Sequence, residues 1–218
     1  MSTPLLIIGN KNYSSWSLRP WIPMKVLEID FDERLIPLFD ENWDAAIAEV
    51  SPSRKVPCLI DGGLTVWETM AILEYLNDKH PYAGVWPDDI AARATARSAA
   101  NEMHGGFGAL REAMPMNTRK QLPGRGINDG SVADITRMQQ LWNACRTAHG
   151  SGGDFLFGAF CAADAMFAPV VSRLVAYEVE LDEVSQAYVD AMMALPAMQE
   201  WHTAGAAEPW IVSHDELD

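Results

Sequence analysis

At 218 residues, 49% of them hydrophobic, the chain can bury a sizeable core, as one large domain or two small ones. Thirty Asp and Glu against sixteen Lys and Arg leave a net charge of −14, which repels nucleic-acid phosphates and anionic lipid and speaks against both as partners. No apolar run reaches the roughly 20 residues that a membrane helix needs.

The first element is Pro4-Leu5-Leu6-Ile7-Ile8-Gly9, an apolar run of strand length closing on a loop signal. Asn10 to Ser17 is polar and turn-rich. A helix is expected over 18–28, with Ser17 as its N-cap, Pro20 in its first turn and a bend at Pro23. A strand at 33–39 is confined by Pro37 to an edge or a bulge. A helix at 44–50 follows, then strands at 57–61 and 64–67 around Asp61-Gly62-Gly63, and a helix at 69–79. Two prolines and a glycine between Asp78 and Pro87 read as a linker. Beyond it the pattern is helical over Ala91–Leu110, Val132–Thr147, Ala162–Ala176 and Val184–Leu195, with a long polar loop from Met116 to Ser131. The expected organisation is a βαβαββα domain over 1–80, a linker over 81–92 and an all-helical domain over 93–218.

The most informative segment is Val56-Pro57-Cys58-Leu59-Ile60-Asp61-Gly62 followed by Glu68-Thr69. Proline cannot donate to a sheet ladder. It fits here if the Val56–Pro57 bond is cis at a strand entrance, leaving the Val56 N–H and C=O free to pair with something else. Shortly afterwards a helix N-terminus offers unpaired N–H groups to an anion. A peptide backbone and a carboxylate held side by side suit a small acidic peptide.

These residues resemble the glutathione transferase family. The ordered set Val56-Pro57-x-Leu59, Asp61-Gly62, Glu68-Thr69 and Ala71-Ile72-x-x-Tyr75-Leu76 is similar to the family's glutathione-binding, thioredoxin-like domain, with Thr69 in place of the usual serine. Ser14-Ser15-Trp16-Ser17-Leu18-Arg19 resembles the serine loop of the zeta and tau classes. The resemblance implies that Ser14 faces the glutathione sulfur with Ser15 beside it; Ser15, Ser17 and Tyr13 compete for the role. It further implies that Glu68 and Thr69 hold the γ-glutamyl end, that Val56 pairs with the cysteinyl unit beside structural Pro57, and that Lys55 or Arg54 meets the glycyl carboxylate. Since glutathione is itself an anion, a local cationic pocket is needed on this acidic chain. Arg19, Arg54 and Lys55 are placed to supply it, while Lys11 reads as an ordinary solvated side chain.

In such a layout Met103, His104, Phe107 and Arg111 become candidate contacts for the electrophile, although a buried helix face would explain Met103 and Phe107 equally well. Asp164 is the structural acid of the family's N-capped helix in the second domain. Here the cap residue is Cys161, so the reciprocal hydroxyl bond is expected to be lost. Cys58, Cys145 and Cys161 show no C-x-x-C spacing and argue for a reducing compartment, with Cys58 and Cys161 reading as core residues. The N-terminal residues carry no secretory pattern, so cytoplasm is the expectation. Five histidines without ligand spacing indicate no metal. The implied activity is serine-assisted addition of glutathione, as co-substrate, to small hydrophobic electrophiles by a homodimer. The alternatives are glutathione-dependent cis–trans isomerisation, as in maleylacetoacetate isomerases, and a binding protein without turnover.

Overall fold

The computed structural model describes residues 3–217. Strands β1 (Leu5–Ile8), β2 (Asp32–Leu35), β3 (Cys58–Asp61) and β4 (Leu64–Trp67) form one sheet in the order β2-β1-β3-β4. The β1–β2 pair is parallel and the other two are antiparallel. Side chains alternate across a strand. Leu6 and Ile8 therefore join the main core, to which helices α1 (Ser15–Val26) and α3 (Thr69–Lys79) also contribute. Ile7 instead packs with Ile36, Cys58 and Ile47 of helix α2 (Trp43–Val50) on the other face. β2 lies at the sheet edge, where the nearby Pro37 is tolerated. A thioredoxin-like α+β unit thus precedes a helical one.

The helical part comprises α4 (Ile90–Gly105), α5 (Gly108–Ala113), α6 (Asp129–His149), α7 (Ala162–Ala176), α8 (Glu183–Met193) and α9 (Pro196–Ala207), closing with a 3₁₀ turn at Ser213–Asp215. Its axis is α7, which is buried on every side except at Val175 and packs against α1 and α4. Among the described residues no helix is long and apolar enough to cross a membrane.

Several elements differ from expectation for local reasons. Helix α1 starts at Ser15, and its N-cap is Ser14 rather than Ser17; the Ser17 N–H donates to Ser14 Oγ at 3.4 Å. Pro20 therefore lies in the helix interior, where it withholds the N–H that the Trp16 carbonyl would accept. Thr69 Oγ1, at the start of α3, approaches that carbonyl at 3.5 Å instead. The helix expected over 91–110 breaks at Gly106-Phe107, where Phe107 adopts a left-handed φ of 56°. A side chain on Gly106 would meet the Glu102 carbonyl at 2.6 Å, so the close approach requires glycine. Helix α9 was not expected; Pro196 occupies its first position, where the missing donor is harmless, and Ala197, Met198 and Trp201 bury its inner face. Lys11 is no solvated side chain: it is 7% exposed, pairs with Glu33 at 2.6 Å and lies over the rings of Trp21 and Trp201.

Two carboxylates hold elements in register. Asp164, fully buried in α7, accepts N–H bonds from Leu156 at 3.0 Å and Cys161 at 2.9 Å. The Cys161 sulfur takes the reciprocal place of the lost hydroxyl, facing the Asp164 N–H as a weak acceptor. Burial outweighs these bonds and pushes the Asp164 carboxyl up to about 6. Glu68 joins β4 to α3 with φ 79° and ψ 135°, a conformation that L-residues rarely adopt, and its side chain caps Met70 N–H at 3.2 Å.

A carboxyl whose pKa is raised on folding binds its proton more tightly in the native state. Asp164 therefore stabilises the fold most below its ordinary 3.8, and the contribution is lost as pH rises through about 6. Asp164→Asn, which cannot titrate and turns an amide toward a backbone donor, is expected to lower stability by about 1–3 kcal/mol. Urea unfolding of both proteins between pH 4 and pH 7 should show the gap widening as pH falls. At Glu68, both Glu68→Ala and Glu68→Gly lose the cap, but only glycine relaxes the positive φ. Unfolding midpoints should rank the glycine variant above the alanine variant by about 1 kcal/mol.

Candidate functional site

Two adjoining cavities of about 430 and 550 Å³ form one cleft between the sheet domain and the helical domain, and Trp16, Lys55, Val56 and Arg111 line both. The smaller lobe is built by the β3–β4 edge and the head of α3. The Val56–Pro57 bond is cis, and among the described residues neither the N–H nor the C=O of Val56 has a hydrogen-bond partner. Glu68 and Thr69 stand opposite in the same lobe, with Trp67 and Ser53 at its rim. Thr69 is buried and its hydroxyl is turned to Trp16 O, so the backbone N–H at the helix start is what it can offer a ligand. Glu68 Oε1 also meets His104 Nε2 at 2.7 Å.

The larger lobe is reached past the serine loop. Tyr13, Ser14 and Ser15 face it from the sheet side, Phe39 and Trp43 wall one end, and Met116 and Arg173 close it from the helical side. Ser14 Oγ donates to Ser17 Oγ at 2.7 Å, and Ser17 Oγ in turn accepts the Gly9 N–H at 3.0 Å. Ser17 is wholly buried and lines neither lobe. The hydroxyl of Ser15 has no partner among the described residues. Tyr13 is committed elsewhere: its hydroxyl donates to Glu216 at 2.5 Å and accepts from Arg119 at 2.6 Å. Burial, then the bond to Glu216, raises its pKa. Two serines therefore remain available to a ligand in the larger lobe, next in sequence to Trp16, which lines both lobes.

The electrostatics of the cleft oppose those of the whole chain. Arg111 and Arg173 line it, and Arg19 lies fully buried behind Trp16, its guanidinium 4.2 Å from the ring centroid. Arg111 sits over the same ring at 5.6 Å. Among the described residues none of these three arginines forms an ion pair. Burial and the neighbouring arginine charges lower the pKa of Arg19, and burial with the Arg111 charge brings Arg173 down to about 10. Guanidinium groups stay protonated all the same, so these directions describe a pocket of positive potential that Glu68 and Asp215 only partly offset. Arg54 and Lys55 extend it to the rim.

The structure thus brings Lys55, Val56, Pro57, Glu68, Thr69, His104 and Arg111 into one lobe, and Ser14 and Ser15 into the next. Met103, on α4, and Phe107, at the break before α5, are core residues that line neither lobe. His104, considered for the electrophile, stands beside Glu68 in the smaller lobe. Trp16 and Arg173 were missed. Arg173 did leave a signal, as the one basic residue in the mostly apolar run Ala162–Ala176.

The sequence matches the family model for the Glutathione S-transferase, N-terminal domain over residues 13–79. It is 30% identical over 95 residues to a probable maleylacetoacetate isomerase of Caenorhabditis elegans, a match spanning 44% of each chain. The chain thus spans less than half the length of that relative. A glutathione S-transferase of Triticum aestivum is 23% identical over 209 residues, covering 91% of this chain and 93% of the wheat protein. Among solved structures, a Burkholderia glutathione transferase homolog with bound glutathione shares the fold with a TM-score of 0.71 at 24% identity, over 94% of this chain and 98% of that one. Residues 13–79 are thus similar to the N-terminal domain of glutathione S-transferases, and the fold is shared with the Burkholderia homolog along nearly the whole length.

Proposed function

We propose that the protein binds glutathione in the smaller lobe and transfers it, as a thiolate, to an electrophile in the larger one. The observation that supports this most is the convergence in one cleft of three things a tripeptide thiol needs. The unpaired Val56 backbone beside a cis proline can pair with the cysteinyl unit, as a short β-strand would. The α3 N-terminus with Glu68 can hold the γ-glutamyl carboxylate and ammonium. A serine hydroxyl stands at the N-terminus of α1, where a thiolate is favoured by the helix dipole. Lys55 and Arg54 at the rim would meet the glycyl carboxylate. Glutathione bound to the Burkholderia protein of the same fold supports the choice of peptide.

The energetics are modest. A free thiol with a pKa near 8.5 is only about 3% ionised at pH 7. Lowering that pKa by two units requires roughly 2.7 kcal/mol of preferential stabilisation of the anion. One hydroxyl donating to a charged acceptor contributes about 1.5–3 kcal/mol. Ser14 supplies that bond by rotating its hydrogen away from Ser17 Oγ, and it keeps its proton throughout. Ser15, whose hydroxyl is free, adds a second donor. The thiolate sulfur then forms a bond to the electrophilic carbon, and the leaving group departs with its electron pair. A homodimer acting in the cytoplasm is the setting this reading implies. Likeness to the worm protein named an isomerase favours one alternative, in which the thiolate adds reversibly and glutathione is regenerated after bond rotation.

Thiolate absorbance on adding glutathione at about pH 6.5 tests the reading. The wild type should show a rise, and Ser14→Ala should lose most of it, with conjugation slowed about 10- to 100-fold. Ser15→Ala should show the smaller loss. A rise that survives Ser14→Ala and disappears in Ser15→Ala would transfer the role to Ser15. No rise in the wild type would sink the proposal.

A further inference from the structure

We propose that the larger lobe is built for an apolar carboxylate: its second substrate carries one carboxylate, gripped by Arg173 and Arg111, on an aromatic or otherwise apolar body lying against Phe39, Trp43 and Met116. This goes beyond a general hydrophobic electrophile and rests on the smaller lobe being the glutathione site.

Arg173 projects from α7 and is 5% exposed. Its Nε donates to Met114 O at 2.7 Å and its Nη1 to Pro169 O at 3.1 Å. These two bonds fix the plane of the guanidinium. Nη2 is left without a hydrogen-bond partner among the described residues, and Arg173 lines the cavity. Arg111, on α5, lines the same cavity, and its Nε is buried with no partner. A planar guanidinium held at two corners with its third open is preorganised for a carboxylate oxygen.

A buried cation without a partner is costly, and native structures normally supply one. This chain holds thirty acidic residues against sixteen basic ones, so counter-ions are not scarce. Yet Arg19, Arg111 and Arg173 are left together without an ion pair among the described residues. Asp215 lines the same lobe and moderates the field of Arg173, but it forms no ion pair with it. His214 lies beside Asp215 and pairs with it at 3.5 Å. The missing negative charge therefore belongs to a ligand. Glutathione's own carboxylates are accounted for by the α3 N-terminus and by Lys55 and Arg54 at the rim, whereas Arg173 reaches the cleft from the helical wall. Besides these charged groups and the serine hydroxyls, the lobe is lined by Leu38, Phe39, Trp43, Pro115 and Met116, and this apolar wall sets the character of the rest of the molecule.

The test compares 4-chloro-3-nitrobenzoate with its neutral isostere 4-chloro-3-nitrobenzamide by calorimetric titration, without glutathione. The wild type should bind the benzoate about 10- to 100-fold more tightly. Arg173→Met and Arg111→Leu should each remove most of that preference. Equal affinity of the wild type for the two compounds would overturn the proposal, as would a preference that survives both substitutions. If Arg173→Met does not fold, the wild-type comparison and Arg111→Leu decide. A parallel glutathione titration separates the two readings. Loss of glutathione affinity in the variants with the benzoate preference intact would assign the arginines to glutathione and overturn the proposal. Benzoate preference in a protein that does not bind glutathione would leave the carboxylate site standing and remove the transferase reading.

Discussion

Arg19 ties the cleft together. It sits in the second turn of α1, wholly buried, and its Nε reaches across the domain boundary to the Met166 carbonyl of α7 at 3.0 Å. Its Nη1 returns to the Ser15 carbonyl at 3.2 Å, and its face stacks on Trp16. One side chain thus fixes the serine loop, the indole at the junction of the two lobes and the central helix of the second domain. A charge placed this deeply is tolerated only with such bonds in place. Because they are all to neutral carbonyls, the charge is oriented but never neutralised. The positive character of the cleft follows from that choice of partners.

Pro20 acts on the same helix in a complementary way. By withholding a donor it leaves the Trp16 carbonyl open to Thr69, so α1 and the start of α3 meet at the residue that both lobes share. The family pattern usually has serine at Thr69. Threonine preserves the hydroxyl for this structural contact. Lys11, tucked between Trp21 and Trp201 against Glu33, anchors the strand end that leads into the loop.

Most of the first domain was legible because its signals are local. Alternating apolar residues mark β1, the Asp61-Gly62-Gly63 turn pairs β3 with β4, and the Val56-Pro57 and Glu68-Thr69 motifs fix their own geometry. The second domain was legible as helices but not as a site. Met103 and Phe107 have the same composition whether they face a cleft or a core, and only the packing of α4 and the break before α5 decide between the two. Helix α9 escaped because its first residue is a proline directly after the end of the preceding helix, a pattern that reads equally as termination. The start of α1 was misjudged because Ser14 and Ser17 are both competent caps, and the choice depends on Gly9 donating to Ser17 from the preceding strand end. Arg173 was visible in the sequence, but what it faces is a tertiary fact.

The serine loop is also held from the far end of the chain. Glu208 accepts the N–H groups of Lys11 at 2.7 Å and Asn12 at 3.1 Å, and Glu216 holds the hydroxyl of the neighbouring Tyr13. These partners lie some two hundred residues downstream of the loop they brace. During synthesis, which proceeds from the N-terminus and allows early domains to fold first, the sheet can assemble while the loop's own braces are still unmade. The cleft is therefore completed only after the segment carrying Glu208 and Glu216 has left the ribosome and folded back onto the loop.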